Sequence, residues 1–209
     1  MDVHPPHGAV HSVKEFMVHM LAITLGLLIA LGLESAVEWM HHRHLVREAR
    51  ENIAQEMREN RVNLEKELAA LPGEEKQLEA VTAVMTDAEQ GRQPSQDLTH
   101  MRWLMVRLGE SAWETSASTG ATAYMPYKVA KQYSRAYELQ TMFNQVMDKY
   151  IMARAEMFAS LSRMSERQKA STEEYERDIR NVRQEAVFGQ FLREIGGQLD
   201  SAYGELGKE

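Results

Sequence analysis

The amino-acid sequence predicts an all-α protein in which an N-terminal transmembrane helix continues as a stalk into an antiparallel helical bundle. Three observations predict it. One stretch near the N-terminus is apolar for long enough to cross a bilayer. Most of the remaining chain repeats apolar residues at steps of three and four. Strand-like alternation is absent, and 209 residues contain only five Pro and twelve Gly.

The composition narrows the class further. At 44% hydrophobic and 26% charged residues the chain can build a core. The absence of Cys excludes disulfides, thiolate metal sites and a Cys nucleophile. A net charge of −7 speaks against nucleic acid as the main partner. Fourteen Met suit adaptable helix packing.

Phe16 to Leu33 reads FMVHMLAITLGLLIALGL, without a formal charge and with only His19 and Thr24 polar. As a helix these 18 residues span roughly 27 Å, close to the hydrocarbon thickness of a bilayer. Glu34 ends the run, and Trp39 stands near that end as an interfacial aromatic. A signal peptide fits less well, because Lys14 is the only N-terminal base and no small-residue cleavage site with a turn follows Leu33. A buried core helix is the remaining alternative. No second long apolar run follows, which predicts one crossing. The expected division is a flexible His-containing tail over 1–12, the membrane helix with its polar collar over 13–40, and the bundle over 41–209.

Ala22, Gly26 and Ala30 recur every fourth residue within the span. Such a stripe of small residues lets a second helix approach closely. It predicts self-association or packing against other membrane proteins, besides contact with the lipid bilayer. Arg43, Arg47 and Arg50 outnumber Lys14 across the span, which favours a cytoplasmic C-terminal region at a bacterial inner membrane. A periplasmic domain is the alternative.

Beyond the membrane, Val46, Ala49, Ile53, Met57, Asn60, Leu64, Leu68 and Leu71 continue the helix as a stalk. Pro72-Gly73 signals a turn. Leu78, Val81, Met85 and Ala88 share one face of a short helix, and Gly91 to Asp97 is the clearest loop. Met101, Leu104, Met105 and Leu108 predict a short apolar turn or two, ended by Gly109. Ser111 to Glu114 has capping-box spacing and opens a helix of small residues, Thr115 to Ala123. Pro126 suits the first turn of the next helix. There Ala136, Leu139, Phe143, Val146, Tyr150, Ala153 and Met157 form a heptad-like seam. A second capping box, Ser171 to Glu174, predicts a break near 165–171. The last helix carries Tyr175, Ile179, Val182 and Ala186, then Phe188, Phe191, Leu192, Ile195 and Leu199. These seams are read as one another's core, with exposed coiled-coil partners as the alternative.

The run Gly26-Leu-Leu-Ile-Ala-Leu-Gly-Leu-Glu34, followed by Val37 to His44 and an Arg/Glu-rich helix, resembles the anchor of uncharacterised bacterial single-pass inner-membrane proteins. A Trp followed by small residues and a Gly, as in Trp113 to Gly120, and a long helix with early Tyr residues, here Tyr133 and Tyr137, extend the resemblance. It implies an inner-membrane helical protein and brings no catalytic residues.

Two constellations could carry chemistry. Glu34, Glu38, His41 and His42 place carboxylates and imidazoles on successive turns; Glu38-x-x-His41 copies half of a di-iron motif, without a second copy elsewhere. The metal-free reading is a polar collar at a membrane helix end. The other histidine group, His4, His7 and His11, stands in the tail, too far along the chain to join the first. A small-ligand pocket lined by Trp113, Tyr124 and Tyr127 is the second candidate. No nucleophile motif, phosphate loop or H-E-x-x-H occurs, so no enzyme and no cofactor beyond a metal ion are expected. The expected function is a membrane-anchored interaction, scaffold or accessory-subunit protein. A ligand- or metal-sensing helical domain at the membrane surface is the alternative.

Overall fold

The computed structural model describes residues 12–93, 98, 101, 103–165 and 171–206. They form four helices: α1 (Val13–Glu89), α2 (Ser111–Ser118), α3 (Tyr127–Ser165) and α4 (Thr172–Leu206), with a 3₁₀ turn at Ala121–Tyr124. No strand occurs among the described residues. The long apolar helix continues into the helical region as one element, in agreement with the expected stalk. By internal contacts the chain divides into two units, Met1–Glu48 and Ala49–Glu209.

The first unit is the N-terminal part of α1. The two polar side chains of its apolar run each bond the backbone one turn earlier. His19 Nδ1 donates to the Glu15 carbonyl at 2.8 Å, and Thr24 Oγ1 donates to the Met20 carbonyl at 2.8 Å. Thr24 is then satisfied without water, as a hydrocarbon surrounding requires, while the second ring nitrogen of His19 takes no part in its bond.

The second unit is built on a heptad register. On α1, Ile53, Asn60, Glu67, Glu74 and Val81 recur every seven residues, interleaved with Met57, Leu64, Leu71, Leu78 and Met85, and all are buried. On α4 the buried series are Asp178, Glu185, Leu192 and Leu199, with Val182, Gly189, Gly196 and Tyr203 between them. Such spacing keeps one seam of each helix turned to its neighbours.

Side-chain bonds fix the directions. Asn60 pairs with Gln140 and Glu74 with Arg154, both 80 residues apart, so α1 and α3 run parallel. Tyr203 reaches Gln140 and Glu185 reaches Arg154, so α4 is antiparallel to α3. The parallel pair is possible because the chain returns along α1 before α3 begins, and residues 103–110 of that return are not helical. Leu104 N–H bonds Glu74 Oε1 at 2.9 Å, and Gly109 N–H bonds Asn60 Oδ1 at 2.8 Å. Residues 103–110 thus run back along α1, where a turn of helix was expected.

Two asparagines hold this return segment as a neighbouring strand would. Asn60 Nδ2 donates to the Gly109 carbonyl at 2.8 Å while its Oδ1 accepts from the Gly109 N–H. Asn144 does the same for Leu108, at 2.9 and 3.0 Å. Each amide satisfies both polar groups of one residue in a segment that has no ladder partner.

Three further local expectations change. Pro72 lies inside α1 without ending it. Both Pro72 and Gly73 are exposed, so the carbonyl freed by the missing N–H can face solvent while Leu71 and Glu74 keep their seam. The Ser111 box does not form: Glu110 stands at the cap position without a side-chain cap bond. Glu56 of α1 takes over, its Oε2 accepting from Ser111 Oγ at 2.7 Å and Ala112 N–H at 3.0 Å, an anion placed at a helix N-terminus. The small-residue stretch leaves helix at Ser118 and turns at Gly120, whose φ of 79° is left-handed. The second box does form: Glu174 Oε2 accepts from Ser171 N–H at 2.7 Å, and Ser171 Oγ from Glu174 N–H at 3.3 Å. The first of these bonds holds the Glu174 carboxyl below its ordinary range.

The two seam glycines of α4 differ in what surrounds them. A Cβ on Gly196 would stand 2.7 Å from Leu68 Cδ2, so any side chain there would force Leu68 to shift. A Cβ on Gly189 would stand 3.6 Å from Tyr150 Cε2, ordinary contact. Gly189→Ala is therefore expected to raise the stability of the bundle by about 0.5–1 kcal/mol through helix propensity alone. The check is a urea midpoint, and a midpoint lower than that of the wild type would show that the approach of Tyr150 is tighter than the geometry implies.

Candidate functional site

Among the described residues, one helix is long and apolar enough to cross a membrane, and none of its apolar window is buried by the rest of the chain. This sets aside the buried-core reading of Phe16–Leu33. A methyl group placed on Gly26 would meet nothing within 4 Å, so the face of Ala22, Gly26 and Ala30 is open. The collar holds one loose pair, His42 Nε2 and Glu38 Oε1 at 4.0 Å. Among the described residues no three His, Asp or Glu side chains stand placed to hold a metal ion. Glu34, Glu38, His41 and His42 therefore do not assemble as a metal centre within the chain. On one helix Glu34 and His42 stand two turns, about 12 Å, apart, and the remaining ligands of such a centre come from facing helices. His4, His7 and His11 lie outside the described residues.

Of the three residues expected to line a ligand pocket, Trp113 lines a cleft. Trp113 stacks on Tyr137 with ring centroids 5.5 Å apart and planes 16° from parallel. Around them Glu110, Glu114, Ser134, Glu138 and Thr141 line an open cleft of about 370 Å³. Tyr124 and Tyr127 do not line it. Tyr127 is 82% exposed, and it precedes Tyr137 by roughly 15 Å along α3. The cleft is held from beneath by Tyr137, which donates to Glu56 Oε1 at 2.7 Å. Burial, then that bond, pushes the Tyr137 phenol up and keeps it a neutral donor. The hydroxyls near it serve the backbone: Ser116 Oγ donates to the Ala112 carbonyl, and Thr119 Oγ1 to that of Thr115.

The densest chemistry lies in the bundle core, where the sequence pattern alone did not point. Arg154 is buried, with Nε on Glu185 Oε1 at 2.8 Å and NH2 on Glu74 Oε2 at 2.7 Å. Its guanidinium also lies 4.3 Å from the Tyr150 ring centroid and 5.0 Å from that of Trp103. Glu74 is saturated, taking Tyr150 OH at 2.8 Å as well as Arg154 and the Leu104 N–H. Burial pushes the Glu185 carboxyl up, while its bond to Arg154 pulls the other way. One heptad before Glu74, Glu67 is fully buried. The signal that could have found this cluster was the heptad register itself, which places charged residues where apolar ones were sought.

No protein-family model, curated protein or solved structure matches the chain. Its functional reading therefore rests on its own residues.

Proposed function

We propose that the chain is a single-pass, membrane-anchored helical scaffold or accessory subunit that self-associates. The observation that carries this reading is the fully exposed apolar window of α1, which the chain itself leaves uncovered. A bilayer covers such a surface on all sides. The back-bonded Thr24 supports the same surrounding. The open stripe of Ala22, Gly26 and Ala30 supports a second copy as the close-packed neighbour, since small residues supply attraction where apolar burial does not. The arginine bias favours a cytoplasmic bundle at a bacterial inner membrane.

The full chain is expected to remain with membranes after an alkaline wash and to enter detergent. Recovery in the cytosolic fraction would overturn the anchor. For self-association, Gly26→Ile should weaken the signal of the isolated 13–44 segment in a membrane two-hybrid assay. Leu27→Ile, about 100° round the helix, should not. Equal signals would leave the stripe as ordinary lipid-facing helix.

A second reading follows from the cleft over Trp113 and Tyr137. Its three carboxylates and aromatic floor suit a small organic cation. Titration with an alkylamine, followed through Trp113 fluorescence against a Trp113→Leu control, tests it.

A further inference from the structure

Glu67 occupies a position that heptad packing reserves for apolar side chains. It is fully buried, and neither carboxylate oxygen meets a hydrogen-bond donor. The asparagine at the equivalent place one heptad earlier is fully bonded, and so is the glutamate one heptad later. Leu64 and Leu68 flank it on α1, and both press against Gly196 of α4. The offset of 80 residues that joins Asn60 to Gln140 and Glu74 to Arg154 puts Met147 of α3 opposite.

The ionisable groups that face this layer come from three elements. Glu74 lies on α1 itself, Tyr150 and Arg154 on α3, and Glu185 on α4. The return segment contributes Trp103 and Val106, while its Arg107 pairs outward with Asp148 at 2.8 Å. Glu74 and Glu185 thus take the bonds of the one buried guanidinium, and Glu67 takes none. Arg154 already gives Nε to Glu185 and NH2 to Glu74, and its NH1 has no partner. An ionised Glu67 is left without a bonded counter-charge in a dry interior.

We propose that Glu67 is a buried proton-binding site, and that losing its proton loosens the bundle at its middle layer. The charged carboxylate then draws water and competes for Arg154 against Glu74 and Glu185. The direction of the acidity agrees: burial first, then Glu74, lift the Glu67 carboxyl from 4.5 to about 7, with Arg154 opposing. The folded state therefore holds a proton that the opened state has released between those two values. The stabilisation is complete below about pH 4.5 and lost as pH rises through about 7. The unit becomes a pH-responsive element between about pH 4.5 and 7.

Hydrogen exchange on the full chain in detergent micelles tests this, read over residues 60–75 and 189–200 after correction for the intrinsic chemical rate. Wild-type protection should fall roughly 50-fold between pH 5 and pH 8. Glu67→Gln and the apolar Glu67→Met should change by less than threefold and be better protected than the wild type at pH 8. A pH-independent wild type would overturn the proposal. So would variants that keep the wild-type pH dependence, or that are less protected than the wild type at pH 8.

Discussion

Arg154→Met is expected to lower the stability of the bundle by about 3–5 kcal/mol. Arg154 is the common partner of Glu74 and Glu185, and all three are buried. Removing it strands two carboxylates that can neither reach water nor find another donor of equal charge. The loss exceeds the value of the ion pairs themselves, because desolvation is left uncompensated. A urea titration followed by tryptophan fluorescence measures it, since Trp103 lies against the guanidinium. Combining Arg154→Met with Glu74→Gln and Glu185→Gln should recover much of the loss, because charge rather than shape is at fault. Arg154→Lys should recover little, since one ammonium cannot reproduce two separately directed bonds. A single-variant loss below about 1 kcal/mol would show that water enters the cluster freely.

Asn144→Leu is expected to cost about 2–4 kcal/mol and to free the return segment. It leaves the Leu108 N–H and carbonyl buried without the amide that satisfies both. Asn144→Asp should free the segment too, because it sets a buried carboxyl against the Leu108 carbonyl and the Glu110 carboxylate, both of which the amide now bonds. Limited trypsin digestion reads the release directly: cleavage after Arg107 should quicken at least tenfold. Resistance equal to the wild type would mean that the segment is held by its apolar side chains, Val106 and Leu108, which are also buried.

The helical character of the chain was legible because it rests on apolar periodicity, which survives any error in the identity of neighbours. The Ser171 box was legible because its partners are local. Facing was less so. In α4 the apolar residues Phe188, Phe191 and Ile195 stand out in the sequence, yet Phe191 is 47% exposed while Asp178, Glu185, Gly189 and Gly196 form the seam. Periodicity of apolar side chains marks a helix, but the seam is decided by what the partner offers, and here Arg154 and Ser160 offer bonds to acids. The return segment could not be read at all. Met101, Leu104, Met105 and Leu108 satisfy helical spacing, but Asn60, Glu74 and Asn144 supply backbone partners from far along the chain. The cleft was half legible: Trp113 is a visible candidate in the sequence, whereas Tyr137 enters only through a resemblance.

The parallel run of α1 and α3 has a consequence for how the protein comes into being. Only six residues separate α3 from α4, so that pair can close as a local hairpin. The bonds from α1 to α3 and α4 reach 76 or more residues downstream, to chain that is synthesised last. During translation α1 must wait with its seam uncovered. Asn60, Glu67 and Glu74 interrupt that seam at three successive heptads. A wholly apolar stripe in their place would pair with any passing amphipathic helix, including another nascent copy. The polar side chains of that seam thus keep the early helix from choosing the wrong companion before the right ones have been made.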